Sequence, residues 1–248
     1  MKTLLTAVVL SLCACGAASP LPDGGTPLVT TGETFGPTHA GSYHVGPVDW
    51  EQTRWTNSCA PYPAAIQSLE GRFLAGVDNS LNGDGSLCDA CALVTTRLGK
   101  SVLVRIVTTG VSNAPGDMDL SNEAYAAIHE DDPQGTSANP RPMTWQLARC
   151  PASSGKIVLQ FQTGANPWWT SFWVRNPRLP IAKVEVQSAR HASFAALRRE
   201  TDGTWNDDQG FGEGSFTLRL TASTGEVLTQ TFPGFQAGQL LTTEVQFP

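Results

Sequence analysis

The chain has 248 residues and a formal net charge of −6, from 22 acidic and 16 basic residues. An acidic surface does not attract nucleic acid or polyanionic wall polymers, so this balance disfavours both as partners and favours a neutral polymer.

The first 18 residues form an export signal, in which the apolar run Leu4–Leu12 is too short to span a membrane. The run ends in Leu12–Cys15, which resembles the bacterial lipobox and predicts that Cys15 is lipid-modified. The alternative is ordinary cleavage near Ala17 or Ala18. We therefore expect a secreted protein without an integral membrane span, either free or lipid-anchored.

Residues 19–31 are rich in Pro, Gly and Thr and predict a flexible linker. The next segment, 32–150, contains the cysteines Cys59, Cys88, Cys91 and Cys150, and an even number in an exported chain indicates disulfides. A zinc site at the two closely spaced cysteines is the alternative. Residues 155–248 lack cysteine and predict a second domain.

The first domain is predicted to be mainly β with one clear helix. Ser101–Thr108 is apolar on both faces except for Arg105, which is typical of a strand in a closed barrel. Ser121–His129 predicts the helix, with Ser121 as its N-cap and Glu123 in its first turn.

The second domain consists of short β-type runs separated by Gly and Pro, which predicts an antiparallel sandwich. The predicted strands are 156–163, 168–175, 181–187, 194–198, 216–222, 226–232 and 240–247.

Three indoles, Trp168, Trp169 and Trp173, lie within six residues of one predicted strand. Adjacent side chains of a strand face opposite sides, so one of the first two rings tends towards solvent, where it suits a sugar face or a protein partner. The alternative is that both rings belong to the core.

Four motifs follow one another along the chain. They are Cys88-Asp89-Ala90-Cys91; Ala114 to Ser121; Trp168-Trp169-Thr170 through Asn176; and Gln246-Phe247-Pro248. In this order they resemble the microbial expansins, two-domain wall-loosening proteins related to plant expansins and to glycoside hydrolase family 45, in which the first motif is Cys-Gly-Ala-Cys. The resemblance runs from about Gly32 to Pro248.

The resemblance implies a six-stranded double-psi β-barrel followed by an immunoglobulin-like carbohydrate-binding sandwich. It also implies the disulfides Cys59–Cys88 and Cys91–Cys150.

Asp119 matches the aspartate that acts as general acid in the family 45 hydrolases. A glycosidase also needs a second carboxylate to activate water. The matching segment is Thr53–Cys59, where Asn57 supplies no carboxylate, although Asp49 or Glu51 could substitute. The alternative role of Asp119 is a turn residue at the start of the helix.

Two further barrel positions match the family less well. Many bacterial members carry Asp after the long barrel strand, where this chain has Thr108 or Thr109, and the hydroxyl near the barrel start is most similar to Thr34. Threonine can still hydrogen-bond to a sugar. Tyr43, Trp50 and Trp55 either line the groove or pack inside the barrel.

The resemblance assigns Trp168 and Trp169 to an aromatic sugar platform completed by a later tyrosine. That position matches Asp202, whose nearest aromatic residue is Trp205. Trp173, about 13 Å along the strand from Trp169, is a second replacement. Lys183 and Arg175 could flank the row, with a solvated surface role as the alternative.

We therefore expect a monomeric protein that binds a cell-wall polysaccharide, cellulose, β-glucan or xylan, and disrupts its noncovalent contacts without hydrolysis, cofactor or metal. The alternatives are a weak family 45-like endoglucanase and a binding protein with a degenerate barrel. Chitin and peptidoglycan also remain open as targets.

Overall fold

The computed structural model describes residues 29–50, 59–70, 72–111, 114–129, 141–151 and 155–248. The expectations for the export signal, Cys15, most of the linker, and the segment with Glu51, Trp55 and Asn57 lie outside the described residues. No helix in the described ranges has the length and hydropathy of a membrane span.

The first part of the chain closes into a six-stranded barrel, hereafter the barrel, with strand order β1-β5-β2-β4-β3-β6. The fold class predicted from the sequence is confirmed. Its strands are β1 (Thr34–Val45), β2 (Leu74–Asp78), β3 (Cys91–Thr96), β4 (Ser101–Val111), β5 (Met118–Leu120) and β6 (Arg141–Ala148), and its helices are α1 (Ala64–Glu70), α2 (Asn79–Asn82) and α3 (Asn122–Ile128).

The barrel interior is filled by every second side chain of its strands. Met118 and Leu120 of β5 are fully buried and pack with Tyr43 of β1 and Trp145 of β6 in one apolar cluster. Because successive side chains of a strand face opposite sides, the residue between Met118 and Leu120 faces out of the barrel.

Helix α3 forms where the sequence predicts it. The Ser121 hydroxyl accepts a hydrogen bond from Ala124 N at 3.3 Å, so Ser121 is the N-cap and satisfies one of the free amides of the first turn. Helices α1 and α2 were not predicted, since both are too short to show an amphipathic period.

The second part of the chain forms two antiparallel sheets, hereafter the sandwich, of strand order β10-β9-β13-β14 and β11-β12-β8-β7-β15. Phenylalanines from both sheets, among them Phe161, Phe172 and Phe216, fill the core. The strands are β7 (Val158–Phe161), β8 (Thr170–Arg175), β9 (Ile181–Gln187), β10 (Ala195–Ala196), β11 (Arg198–Arg199), β12 (Trp205–Asp207), β13 (Phe216–Ala222), β14 (Val227–Phe232) and β15 (Leu240–Thr242). The domain boundaries at residues 150 and 155 stay a prediction.

The disulfides Cys59–Cys88 and Cys91–Cys150 are formed, as the resemblance implies. The zinc alternative at Cys88 and Cys91 is therefore wrong, because each of these sulfurs is bonded to a different cysteine.

A buried charge cluster joins the barrel to the sandwich. The Arg175 guanidinium donates to Asp89 Oδ2 at 2.7 Å and to the carbonyls of Cys59 and Pro61 at 2.8 and 3.0 Å. Its side chain is fully buried, so neither the expected flanking role nor the solvated alternative is correct for Arg175.

Tyr62 completes this cluster. Burial, and then the charge of Asp89, raises the pKa of Tyr62 well above its ordinary value, and the protonated hydroxyl donates to Asp89 Oδ2 at 3.3 Å. The Arg175 guanidinium lies 4.0 Å from the centroid of the Tyr62 ring. Arg105, the charged residue in the predicted barrel strand, donates to the Asp89 carbonyl at 2.8 Å.

Candidate functional site

Asp119, which the sequence predicts to be a groove carboxylate, is the middle residue of β5 in the barrel. Asp119 pairs with His44 of β1 on one side and with Gly76 of β2 on the other, and its side chain faces away from the barrel interior. The residue is 9% exposed. The carboxyl group therefore lies at a partly dehydrated surface where three neighbouring strands meet.

The second carboxylate, Asp117, is held in place by hydrogen bonds. Its Oδ1 accepts from Ser42 N at 2.7 Å, and its Oδ2 accepts from Ala114 N at 3.2 Å and lies 3.4 Å from His44 Nε2. Both oxygens are thus engaged by the protein, and Asp117 lies just before β5, two residues from Asp119.

The surroundings of Asp119 shift its protonation. Burial has the largest effect and raises the pKa of the Asp119 carboxyl; His44 acts in the opposite direction, and the charge of Asp117 adds a further increase. A carboxyl group with a raised pKa can exchange a proton with a sugar oxygen near neutral pH more readily than an ordinary aspartate.

Gly46 allows the chain to pass close to this carboxyl group. A Cβ on Gly46 would lie 2.7 Å from the Cβ of Asp119, and Gly46 N donates to the Leu120 carbonyl at 3.0 Å. Any larger residue would displace Asp119 or the strand end.

The structure does not bring Thr34 near Asp119. Thr34 begins β1, a strand of 12 residues, whereas His44 lies near its other end beside Asp119. Thr34 pairs instead with Ala148 of β6.

Thr108 lies two strands from Asp119, through Gly76. Its side chain is buried and its hydroxyl donates to the Thr109 carbonyl at 3.2 Å. It therefore presents no hydroxyl to a sugar, unlike the role expected from the sequence.

Two of the aromatic groove candidates lie within the described residues. Tyr43 is buried in the barrel cluster, and Trp50 packs edge-on against Tyr62, so both contribute to packing.

Trp168 and Trp169 lie in a turn rather than in the predicted strand. The Asn166 side chain accepts from both backbone amides at 2.9 and 3.1 Å, and β8 begins only at Thr170. Trp168 is 58% exposed, while Trp169 is half-buried with its ring close to Gly164. The turn, and not strand alternation, turns Trp168 outward.

Trp173 and Trp205, the two predicted replacements in the platform, are buried, with 6% and 5% exposure. Trp173 Nε1 donates to the Asp202 carbonyl at 3.0 Å, and its ring lies 4.8 Å from the Arg175 guanidinium. Trp205 belongs to the sandwich core. Neither ring can receive a sugar, because Trp205 lies in the sandwich core and the strand face with Trp173 and Arg175 is covered by the barrel.

The sequence did not single out three residues at these sites: His44, Asp117 and Arg190. The spacing Asp117-x-Asp119 brings two carboxylates near each other at the start of β5, and this spacing was a usable signal in the sequence. Arg190, whose guanidinium lies 5.4 Å from the Trp168 ring centroid, gives no local signal because a loop contact across 22 positions has no period. Among the described residues, no group of three His, Cys, Asp or Glu side chains is placed to hold a metal ion.

No family model matches the chain. The chain is 23% identical to expansin-like protein 6 of Dictyostelium discoideum over 181 residues, which cover 71% of this chain and 61% of that protein. It is 28% identical to expansin-B4 of Arabidopsis thaliana over 236 residues, 88% and 84% of the two chains. The match to the first relative thus spans less than two thirds of that protein.

A solved structure of the expansin of Clavibacter michiganensis superposes with a TM-score of 0.67 at 21% identity, covering 85% of this chain and 98% of that chain. That structure is a point mutant in complex with cellohexaose. The likeness shows that the two chains share a fold. The chain is therefore similar to expansins in sequence and in fold, as its motifs indicate.

Proposed function

We propose that this protein binds cellulose or a related β-glucan and loosens cell walls without cleaving the polymer. The observation that carries the proposal is the exposed indole of Trp168 on a chain whose barrel carries the largely buried carboxyl group of Asp119 in β5. The complex of the related fold with cellohexaose supports a glucan as the ligand.

Trp168 supplies the binding step. A rigid exposed indole buries apolar area on the face of a pyranose ring at little conformational cost, and a flat ring suits a flat extended polymer. Trp169, half-buried beside it, offers less apolar surface than Trp168.

Asp119 supplies the action of the barrel. Its carboxyl group accepts or donates hydrogen bonds at sugar hydroxyls and so competes with contacts between glucan chains. Asp117 does not serve as a general base, since both of its oxygens already accept hydrogen bonds and it lies only two residues from Asp119 in the chain. This arrangement favours disruption of contacts over hydrolysis.

A weak endoglucanase is the second candidate, favoured by the raised pKa of Asp119, which a general acid requires. Release of reducing ends from soluble β-glucan, lost in Asp119→Asn, would establish it. No release above a buffer control supports the non-hydrolytic function.

The export signal and the relatedness to expansins support secretion, with lipid anchoring at Cys15 as the finer proposal. Expression in a bacterial host tests both: wild type in the membrane fraction and Cys15→Ser in the medium supports anchoring. Equal release of both proteins refutes it.

The binding test is retention on insoluble cellulose, xylan, chitin and peptidoglycan. Trp168→Ala should reduce retention on cellulose roughly tenfold, whereas Leu98→Ala, which removes an equally exposed apolar side chain at 58% on the barrel, should not. Equal retention of both variants would reject the indole as the binding group.

The loosening test is creep or weakening of cellulosic paper. We expect Asp119→Asn to bind cellulose normally and to lose the mechanical effect. Wild-type binding without any mechanical effect would leave only a carbohydrate-binding module.

A further inference from the structure

Arg190 lies over the exposed indole of Trp168. Its Cζ atom is 5.4 Å from the ring centroid, within the range of a cation–π contact. Both side chains are exposed, so a ligand that reaches the ring also reaches the guanidinium.

The position of Arg190 is fixed by a tight turn. Ser188 and His191 exchange backbone hydrogen bonds at 3.0 and 3.1 Å, and the Ser188 hydroxyl accepts from Arg190 N at 3.3 Å. The stem of Arg190 passes over Gly212, where a Cβ would lie 3.0 Å from its Cγ.

Both loops of this site are tied to the same segment, 207–212. His191 Nε2 lies 2.6 Å from Asp207 Oδ2, and Gly212 N donates to the Pro167 carbonyl at 2.8 Å. The turn with Arg190 and the turn with Trp168 are therefore held in one geometry before any ligand arrives, which lowers the entropic cost of binding.

The guanidinium of Arg190 is available. Within the described ranges it makes no ion pair, although other arginines of the sandwich, such as Arg198 and Arg219, each pair with a carboxylate. A guanidinium carries five donors in a planar fork that matches a carboxylate, and it has no acceptor.

We propose that Arg190 makes the Trp168 site selective for β-linked polysaccharides that carry uronic acid carboxylates. A pyranose ring packs against the indole while its carboxylate pairs with Arg190. This inference rests on the proposed function, since it assumes that Trp168 binds sugar.

The negative net charge of the chain excludes a general electrostatic attraction to a carboxylated polymer. At a net charge of −6 the protein as a whole is not attracted to a polyanion, and that long-range repulsion is screened at physiological salt. A preference for carboxylated polymer must therefore come from a local contact such as Arg190.

The test compares cellulose with the same cellulose oxidised at C6 to glucuronic acid units, because the two polymers share one backbone. We expect wild type to bind the oxidised form roughly three- to tenfold more tightly at physiological salt. Arg190→Gln should bring the ratio of the two affinities to about one. Arg72→Gln, which removes an arginine of the barrel with an 80% exposed side chain, should keep the wild-type ratio.

Three results would count against the proposals in different ways. Equal wild-type affinity for the two polymers, or a preference that survives in Arg190→Gln, overturns the role of Arg190 and leaves the function intact. Cellulose affinity that is unchanged in Trp168→Ala overturns the sugar site itself. Circular dichroism of each variant verifies that it is folded.

Discussion

Arg175 Nη1 and Asp89 Oδ2 lie 2.7 Å apart in the buried contact between sandwich and barrel. Asp89 has a φ of +66°, a left-handed conformation that glycine adopts most readily and aspartate tolerates. The microbial expansin motif that Cys88-Asp89-Ala90-Cys91 resembles has glycine at this position. In this chain a residue less suited to that backbone conformation supplies a carboxylate that pairs with Arg175 of the sandwich.

Removal of Arg175 tests this contact. Arg175→Met leaves Asp89 with one of its two charged partners and removes the hydrogen bonds that Arg175 donates to two barrel carbonyls. We therefore expect a loss of about 3–5 kcal/mol in the free energy of unfolding. Urea unfolding at neutral pH measures it. Arg198→Met, which removes an exposed ion pair with Glu200, should cost less than about 1 kcal/mol; similar losses in both variants would contradict a structural role for the buried pair.

Glu185 predicts an acid-dependent stability. Hydrogen bonds from Arg219 and Lys183 lower the pKa of Glu185 from its ordinary 4.5 to about 2. The folded state therefore holds the charge more strongly than the unfolded state, and this stabilisation is present above pH 4.5 and is lost as the pH falls towards 2.

We accordingly expect Glu185→Gln to have a lower Tm than wild type at pH 7, with the difference shrinking below pH 4.5. Thermal unfolding monitored by circular dichroism from pH 7 to pH 2 measures it. Glu213→Gln, at an exposed glutamate of the same sandwich, should follow the wild-type curve. A pH-independent difference between Glu185→Gln and wild type would reject the linkage.

The shifted pKa of Asp119 predicts a pH dependence of stability opposite in sign to that of Glu185. Burial raises its pKa above 3.8, so the folded state binds its proton more strongly than the unfolded state, and stability falls as the pH rises through the folded pKa. Asp119→Asn should therefore raise Tm at pH 7 while abolishing wall loosening. A lower Tm at pH 7 would indicate that Asp119 has the alternative, structural role at the start of α3.

His44 modulates the same carboxyl group. Because the His44 charge lowers the pKa of Asp119, His44→Gln should raise that pKa further. NMR titration of the Asp119 carboxyl carbon measures the change. His129→Gln, at the C-cap of α3, is the control. An unchanged pKa of Asp119 in His44→Gln would show that His44 does not influence this carboxyl group.

Gly46 predicts a steric effect on the groove. Gly46→Ala would place a Cβ 2.7 Å from the Asp119 Cβ and should cost about 1–3 kcal/mol or displace the carboxyl group, with loss of loosening activity. Gly32→Ala, whose Cβ would meet its neighbours at 3.5 Å or more, should have little effect on either property. Equal stability and activity of the two variants would show that the end of β1 can move to accommodate the added methyl group.

Local patterns predicted several elements well. Strands 181–187 and 216–222 form with the expected bounds, and α3 is capped by Ser121, since alternation and capping depend on neighbours in sequence. Trp168 was placed in a strand because the competing signal, the Asn166 side chain that closes the turn, is a single hydrogen-bonding residue without periodicity.

The sequence by itself determined the strand pattern, the helix cap and, through motif order, the expansin-like fold and an exposed tryptophan. Only the tertiary structure decided that Trp173 and Arg175 face the barrel, that Trp205 lies in the core and that Arg190 lies near the exposed ring of Trp168. Alternation states which side chains share a face, but it contains no information about which distant segment covers that face. Burial and charge pairing between remote segments are therefore properties of the packed molecule.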